Sequence, residues 1–205
     1  MSQFEKTNEA MLAVTLNKEK ILSKAGAMVV YEGNVNFSKA ILGGEGLFGA
    51  LKRKLVNERE SLMTTEGSGT VYYASDARDI TCITLNNETI TLESDSLLAY
   101  DSTVNTDIEF SGVNGIVSGQ GLFTTTVTGC GNIAIISDGE LIALEVTPQH
   151  PLHIDPDAFV AFKGNLLRDF ILDVNWKTMV GQASGESYQI KFSGTGVVYI
   201  QPSER

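Results

Sequence analysis

The chain has 205 residues, of which 42% are hydrophobic and 20% charged, and a formal net charge of −10. This composition excludes a disordered chain and supplies enough apolar surface for a sizeable core, in one large or two small domains. The acidic surplus excludes nucleic acid as a generic partner, because neutralising phosphates takes a basic surface.

Residues 1–20 are polar, without the basic start and apolar run of a signal peptide, and no apolar stretch reaches the length of a membrane span. The expectation is a cytoplasmic protein. Cys82 and Cys130 are the only cysteines and have no Cys-x-x-Cys spacing, so they read as reduced, packed thiols of a reducing compartment. Ala10–Thr15 and Ala27–Tyr31 are short apolar strand candidates, and Asn34–Leu42 alternates until Gly43-Gly44 interrupts it. The period then changes. Leu47, Phe48, Leu51, Leu55 and Val56 recur at helical spacing around Lys52, Arg53 and Lys54, which predicts one amphipathic helix near residues 46–57.

Beyond Asn57 the strand signals return. Thr70–Ala74, Ile80–Leu85, Thr89–Glu93, Leu97–Tyr100, Asp107–Phe110, Phe123–Thr128 and Asn132–Ile136 are rich in Thr, Ile, Val and Tyr and are divided by polar or glycine-bearing turns. Leu141–Val146, Phe159–Phe162, Phe170–Val174, Tyr188–Phe192 and Val197–Ile200 continue the pattern. Twenty glycines against four prolines suit many tight turns between short strands. No second stretch has a helical period, so parallel βαβ winding is not expected.

The strands recur in sets. Gly67-Ser68-Gly69, Gly129-Cys130-Gly131 and Gly194-Thr195-Gly196 each open a β-rich run, at intervals of 62 and 65 residues. A second landmark keeps the same step: the run Asp95–Tyr100 aligns with Asp157–Phe162, and Ala25–Tyr31 is a weaker first copy. The fold expected is all-β: one domain, residues 1–205, made of three quasi-repeated antiparallel β units at about 20–75, 88–137 and 150–201, with the helix inserted in the first. Open sheet edges in such units need covering, which points to a homo-oligomer.

The residues meet a known family here. The run Gly26–Gly33, the Gly44–Phe48 segment with its basic helix, the three Gly-x-Gly motifs, Gly119–Phe123, Gly185-Glu186-Ser187 and the terminal Gly194–Gln201 together resemble the altered-inheritance-of-mitochondria protein 24 family. The resemblance spans nearly the whole chain, and Arg59-Glu60-Ser61 stands where the family has Gly-Glu-Ser. It implies a β fold similar to the tryptophan RNA-binding attenuation protein group, and no established reaction. A mitochondrial branch of the family is associated with inner-membrane organisation. Likeness of fold to an RNA binder does not carry RNA binding with it.

Three segments are candidates for chemistry. Gly44-Glu45-Gly46-Leu47-Phe48-Gly49 matches a dinucleotide fingerprint, yet its core recurs ahead of a strand at Gly119–Phe123, where a glycine-permitted turn explains it. His150, His153, Asp155 and Asp157 gather both histidines and two carboxylates within eight residues; on an extended segment His153, Asp155 and Asp157 project to one side as metal or ligand donors. Against this, Asp157 aligns with Asp95, where no histidine is near, and Pro151 and Pro156 disturb regular projection. Third, Lys52, Arg53, Lys54 and Arg59 are four of the fifteen basic residues, set beside Leu51 and Leu55. Such a helix suits an anionic membrane surface or a protein groove, or else covers the β body with its charges solvated. No Gly-x-Ser-x-Gly elbow or selected carboxylate pair is present, and no cofactor is expected. The expected function is non-enzymatic binding or assembly, at a membrane surface or in a protein complex, with a small-ligand or metal sensor as the alternative.

Overall fold

A computed structural model describes residues 2–40, 62–111, 122–172 and 188–202. The predicted helix at 46–57, with Leu51, Lys52, Arg53, Lys54, Leu55 and Arg59, lies outside the described residues, as does the Gly44–Gly49 fingerprint. The described chain forms β1 (Gln3–Asn8), β2 (Met11–Lys24), β3 (Met28–Lys39), β4 (Leu62–Tyr73), β5 (Asp79–Glu93) and β6 (Leu97–Asp101). It continues as β7 (Val104–Ser111), β8 (Leu122–Ser137), β9 (Ile142–Val146), β10 (Leu152–Ile154), β11 (Phe159–Leu172) and β12 (Tyr188–Ile200). One-turn 3-10 helices at Ser94–Ser96 and Pro156–Ala158 precede β6 and β11. The protein is all-β, and its named pairings are antiparallel. No helix among the described residues is long and apolar enough to cross a membrane.

The chain divides into two compact units, and β5, β7 and β8 contribute to both. In the first unit β2 is the central strand, flanked by β1, β4 and β6, and β4 carries β3 on its far side. Alternation along β2 explains its place: Leu12, Val14, Leu16 and Ile21 are buried together with Val71, Tyr73, Ile80 and Leu98. In the second unit β12 lies between β11 and the shorter β9 and β10, and the tip of β5 pairs with β11. Its core stacks Phe159 on Phe192 at 5.6 Å, with Val146, Ile154, Ile190 and Val198 around them.

The strands are longer and less interrupted than the sequence suggests, with β8 running 16 residues. Expected breaks at Asn86-Asn87, Gly129–Gly131 and Gly194–Gly196 fall inside continuous strands. Asn87 stays in β5 by taking a positive φ of 60°, as Lys18 does in β2 at 68°. The glycines of these motifs are not turn residues. Gly33 faces Gly69 across β3 and β4, and a Cβ on Gly69 would lie 2.1 Å from the Glu32 carbonyl oxygen. Gly164 faces Gly196 in the same manner, where a Cβ on Gly196 would lie 2.3 Å from the Lys163 carbonyl oxygen. Each pair lets two backbones cross at a distance that no side chain permits. β1 carries no hydrophobic alternation in Gln3–Asn8 and was not expected as a strand; it exists because β2 offers it an edge.

Candidate functional site

The His150–Asp157 segment is built as a strand end and a turn. His150 donates its backbone N–H to the Thr147 carbonyl at 3.0 Å, closing the turn that enters β10. Leu152 and Ile154 pack into the second core, so alternation turns His153 to the exposed face, opposite Lys191 of β12. The strand ends at Ile154. Asp155 then caps the 3-10 turn, its Oδ1 accepting the Asp157 backbone N–H at 3.1 Å, and Pro156 occupies the first position, where no N–H is needed. Buried Gln201 completes the turn: its Nε2 donates to the Asp157 carbonyl at 2.8 Å and its Oε1 accepts the Asp138 N–H at 2.9 Å.

The expected one-sided projection of His153, Asp155 and Asp157 is therefore corrected, because Asp157 sits in a 3-10 turn rather than on an extended strand. Among the described residues no group of three or more His, Cys, Asp or Glu is placed to hold a metal ion. The expected result of titrating zinc into the full chain is an uptake that His153→Ala leaves unchanged, followed by isothermal calorimetry. Loss of a stoichiometric site in that variant would restore the metal reading.

Shifted titratable groups have local causes. Burial raises the pKa of Tyr73, whose hydroxyl donates to Thr65 Oγ1 at 2.9 Å. Burial likewise raises that of Cys82 and lowers that of Arg168, the latter opposed by the charge of Glu109. Arg168 lies 6.0 Å from the Phe162 ring centre and 5.7 Å from that of Phe170, a packing role for its guanidinium. Lys6 is raised chiefly by its hydrogen bond to Glu9, and Glu19 is lowered chiefly by the Asn17 backbone N–H.

The surface that stands out is β3. Val29, Val30 and Tyr31 are 55%, 51% and 48% exposed, on a strand whose partner among the described residues is β4 alone. Tyr31 is steadied by an edge contact with Phe37 at 5.1 Å. An apolar, β-branched run on a one-sided strand is a template for another strand. Sequence reasoning missed it because Val29-Val30-Tyr31 reads like its counterparts Leu98-Ala99-Tyr100 and Val160-Ala161-Phe162, in which each triplet's first two residues are 0% exposed.

Over residues 3–203 the chain matches the family described as mitochondrial biogenesis AIM24. Among solved structures it is similar to the X-ray crystal structure of protein SPYM3_0169 from Streptococcus pyogenes, at a TM-score of 0.76 and 22% identity, over 100% of this chain and 94% of that one. At that identity the likeness speaks to the fold. No curated protein matches the chain.

Proposed function

Since the chain belongs to the mitochondrial biogenesis AIM24 family, we propose that it is a non-enzymatic assembly module that binds protein through an open β edge. The observation that carries this is the exposed Val29-Val30-Tyr31 run on one-sided β3. Main-chain groups along such an edge supply affinity, and alternate side chains supply selectivity. The perturbed groups named above support the same reading, since each is explained by packing or by a neighbouring hydrogen bond.

The strands support a body of three related units. Lys18 and Asn87, both at positive φ, are 69 residues apart, and the 3-10 turns beginning at Ser94 and Pro156 are 62 apart. Tyr31, Tyr100 and Phe162 fall on the same steps. A body assembled by repeated edge-to-edge pairing leaves edges at its ends.

Native mass spectrometry of the untagged, full-length protein purified from its own host tests the function. An oligomer or protein complex with no small bound mass is the expected result. A stoichiometric small ligand per chain, or a monomer with nothing bound, overturns the reading. So does recruitment to anionic vesicles that is lost on charge reversal at Lys52, Arg53 and Lys54, which would transfer the function to the basic segment.

A further inference from the structure

We propose that copies of this chain join head to tail, β10 of one copy pairing antiparallel with β3 of the next, with Leu152 opposite Glu32, His153 opposite Tyr31 and Ile154 opposite Val30. This rests on the assembly reading above and identifies the partner as a second copy.

The chain already makes the same joint twice. In the first, Ile21, Leu22 and Ser23 of β2 face Asp101, Tyr100 and Ala99 of β6. In the second, Ile90, Thr91 and Leu92 of β5 face Lys163, Phe162 and Ala161 of β11. Both joints are antiparallel and three pairs long, and they bring together equivalent positions: Ile21 and Ile90 are 69 residues apart, Asp101 and Lys163 are 62 apart. One more step along each series finds the missing third joint. The residue 62 beyond Ile90 is Leu152, where β10 begins, and the residue 69 before Asp101 is Glu32, in β3.

Each strand of that third joint has one paired side among the described residues. Among the described residues β10 is hydrogen-bonded to β12 alone and β3 to β4 alone. The residues that the two existing joints cover are closed off, with Ala99 and Ala161 each 0% exposed; their counterpart Val30 is 51% exposed. The faces also correspond. Ile154 is buried on the core side of β10 and would cover Val30, whereas His153 and Tyr31 are both exposed and would stand opposite each other as a cross-strand ring pair. Because β10 and β3 are different edges, the contact is heterologous, and repetition gives a ring or an open chain rather than a two-fold dimer.

Single-cysteine chains test the register between copies. Tyr31→Cys chains and His153→Cys chains, each also carrying Cys82→Ala and Cys130→Ser, are mixed and oxidised. Directly opposed residues lie about 4.5–5.5 Å apart at Cα, within the span of a disulfide, so a cross-linked pair containing one chain of each kind is expected. Replacing Tyr31→Cys by Glu32→Cys turns the thiol to the other face and should lower the yield at least about tenfold. Independently, Val30→Lys, at an exposed position that leaves the fold intact by circular dichroism, should raise the dissociation constant of the wild-type oligomer about tenfold or more in sedimentation velocity. An oligomer that gives no mixed disulfide and ignores Val30→Lys overturns this joint while leaving the assembly reading standing. A wild-type protein that stays monomeric and carries no protein partner overturns both.

Discussion

Gly69→Ala is expected to cost about 3 kcal/mol or more, among the largest effects of a single added methyl group in this protein. The new Cβ would lie 2.1 Å from the Glu32 carbonyl oxygen and 2.9 Å from Val35 Cγ2, so β3 and β4 must separate at their crossing. Separation there weakens the ladder on either side, because the atom that the new methyl meets belongs to the β3 backbone beside the opposing Gly33 and cannot rotate away. Gly26→Ala isolates the clash from the backbone strain. Gly26 has φ +84° with nothing within 4 Å of its Cβ position, so that variant should lose only about 1–2 kcal/mol, the cost of a left-handed conformation. Urea denaturation followed by circular dichroism gives both values, and amide exchange should localise the Gly69→Ala effect to β3 and β4. A Gly69→Ala loss no greater than that of Gly26→Ala would mean that the crossing is not held by backbone contact. Because β3 also carries the exposed edge, a folded Gly69→Ala protein should show weakened self-association as well.

The same glycines show what was legible in the sequence. Their recurrence at steps of 62 and 65 residues was visible, and the all-β class followed from the β-rich runs between them. Their role was not. Glycine serves a tight turn and a close backbone crossing for one reason, the missing Cβ, and composition cannot separate the two uses. Gly67 would meet Asn34 O at 2.2 Å and Gly194 would meet Asn165 O at 2.3 Å, contacts with residues some 30 positions away that no local window contains. Asn86-Asn87 was misread likewise: an asparagine pair between apolar runs signals a turn, but Asn tolerates positive φ, and β5 continues through it.

The candidate site divides along similar lines. The His150–Asp157 cluster was conspicuous by residue type, but which side a side chain takes depends on where the strand stops. Asp155 and Pro156 start a 3-10 turn there and spend the carboxylate on a cap. The exposed edge was hidden for the opposite reason. Nothing local distinguishes Val29-Val30-Tyr31 from Leu98-Ala99-Tyr100; what differs is whether a strand from elsewhere in the chain lies alongside, as β2 does for β6. Burial on a sheet edge is a long-range property, so a hydrophobic triplet in a sequence predicts a strand without predicting its neighbour.

Asp101→Ala is expected to destabilise the first unit by about 3 kcal/mol, because it removes the acceptor of two hydrogen bonds at a buried carboxylate. Asp101 is 2% exposed at the end of β6. Its Oδ2 accepts the Asn132 backbone N–H at 2.7 Å and its Oδ1 accepts the Ser2 hydroxyl. Asn132 in turn donates its side-chain amide to the Ser2 carbonyl at 2.9 Å and accepts from Thr84 Oγ1 at 2.8 Å, so one network ties the start of the chain to β5, β6 and β8. Each bond to the carboxylate contributes about 1.5–3 kcal/mol, and Ala leaves the Asn132 N–H without its acceptor. Asp101→Asn separates charge from connectivity: its Oδ1 can take the Asn132 N–H and its Nδ2 can donate to the Ser2 hydroxyl, so a loss near 1 kcal/mol is expected. In a chain of this size each kcal/mol lowers the melting temperature by about 2–4 °C, giving a drop of about 6–12 °C for Asp101→Ala. Calorimetry on the full chain measures both variants. Equal losses in the two would show that the negative charge itself holds the network, and no loss in either would show that the first unit does not depend on it.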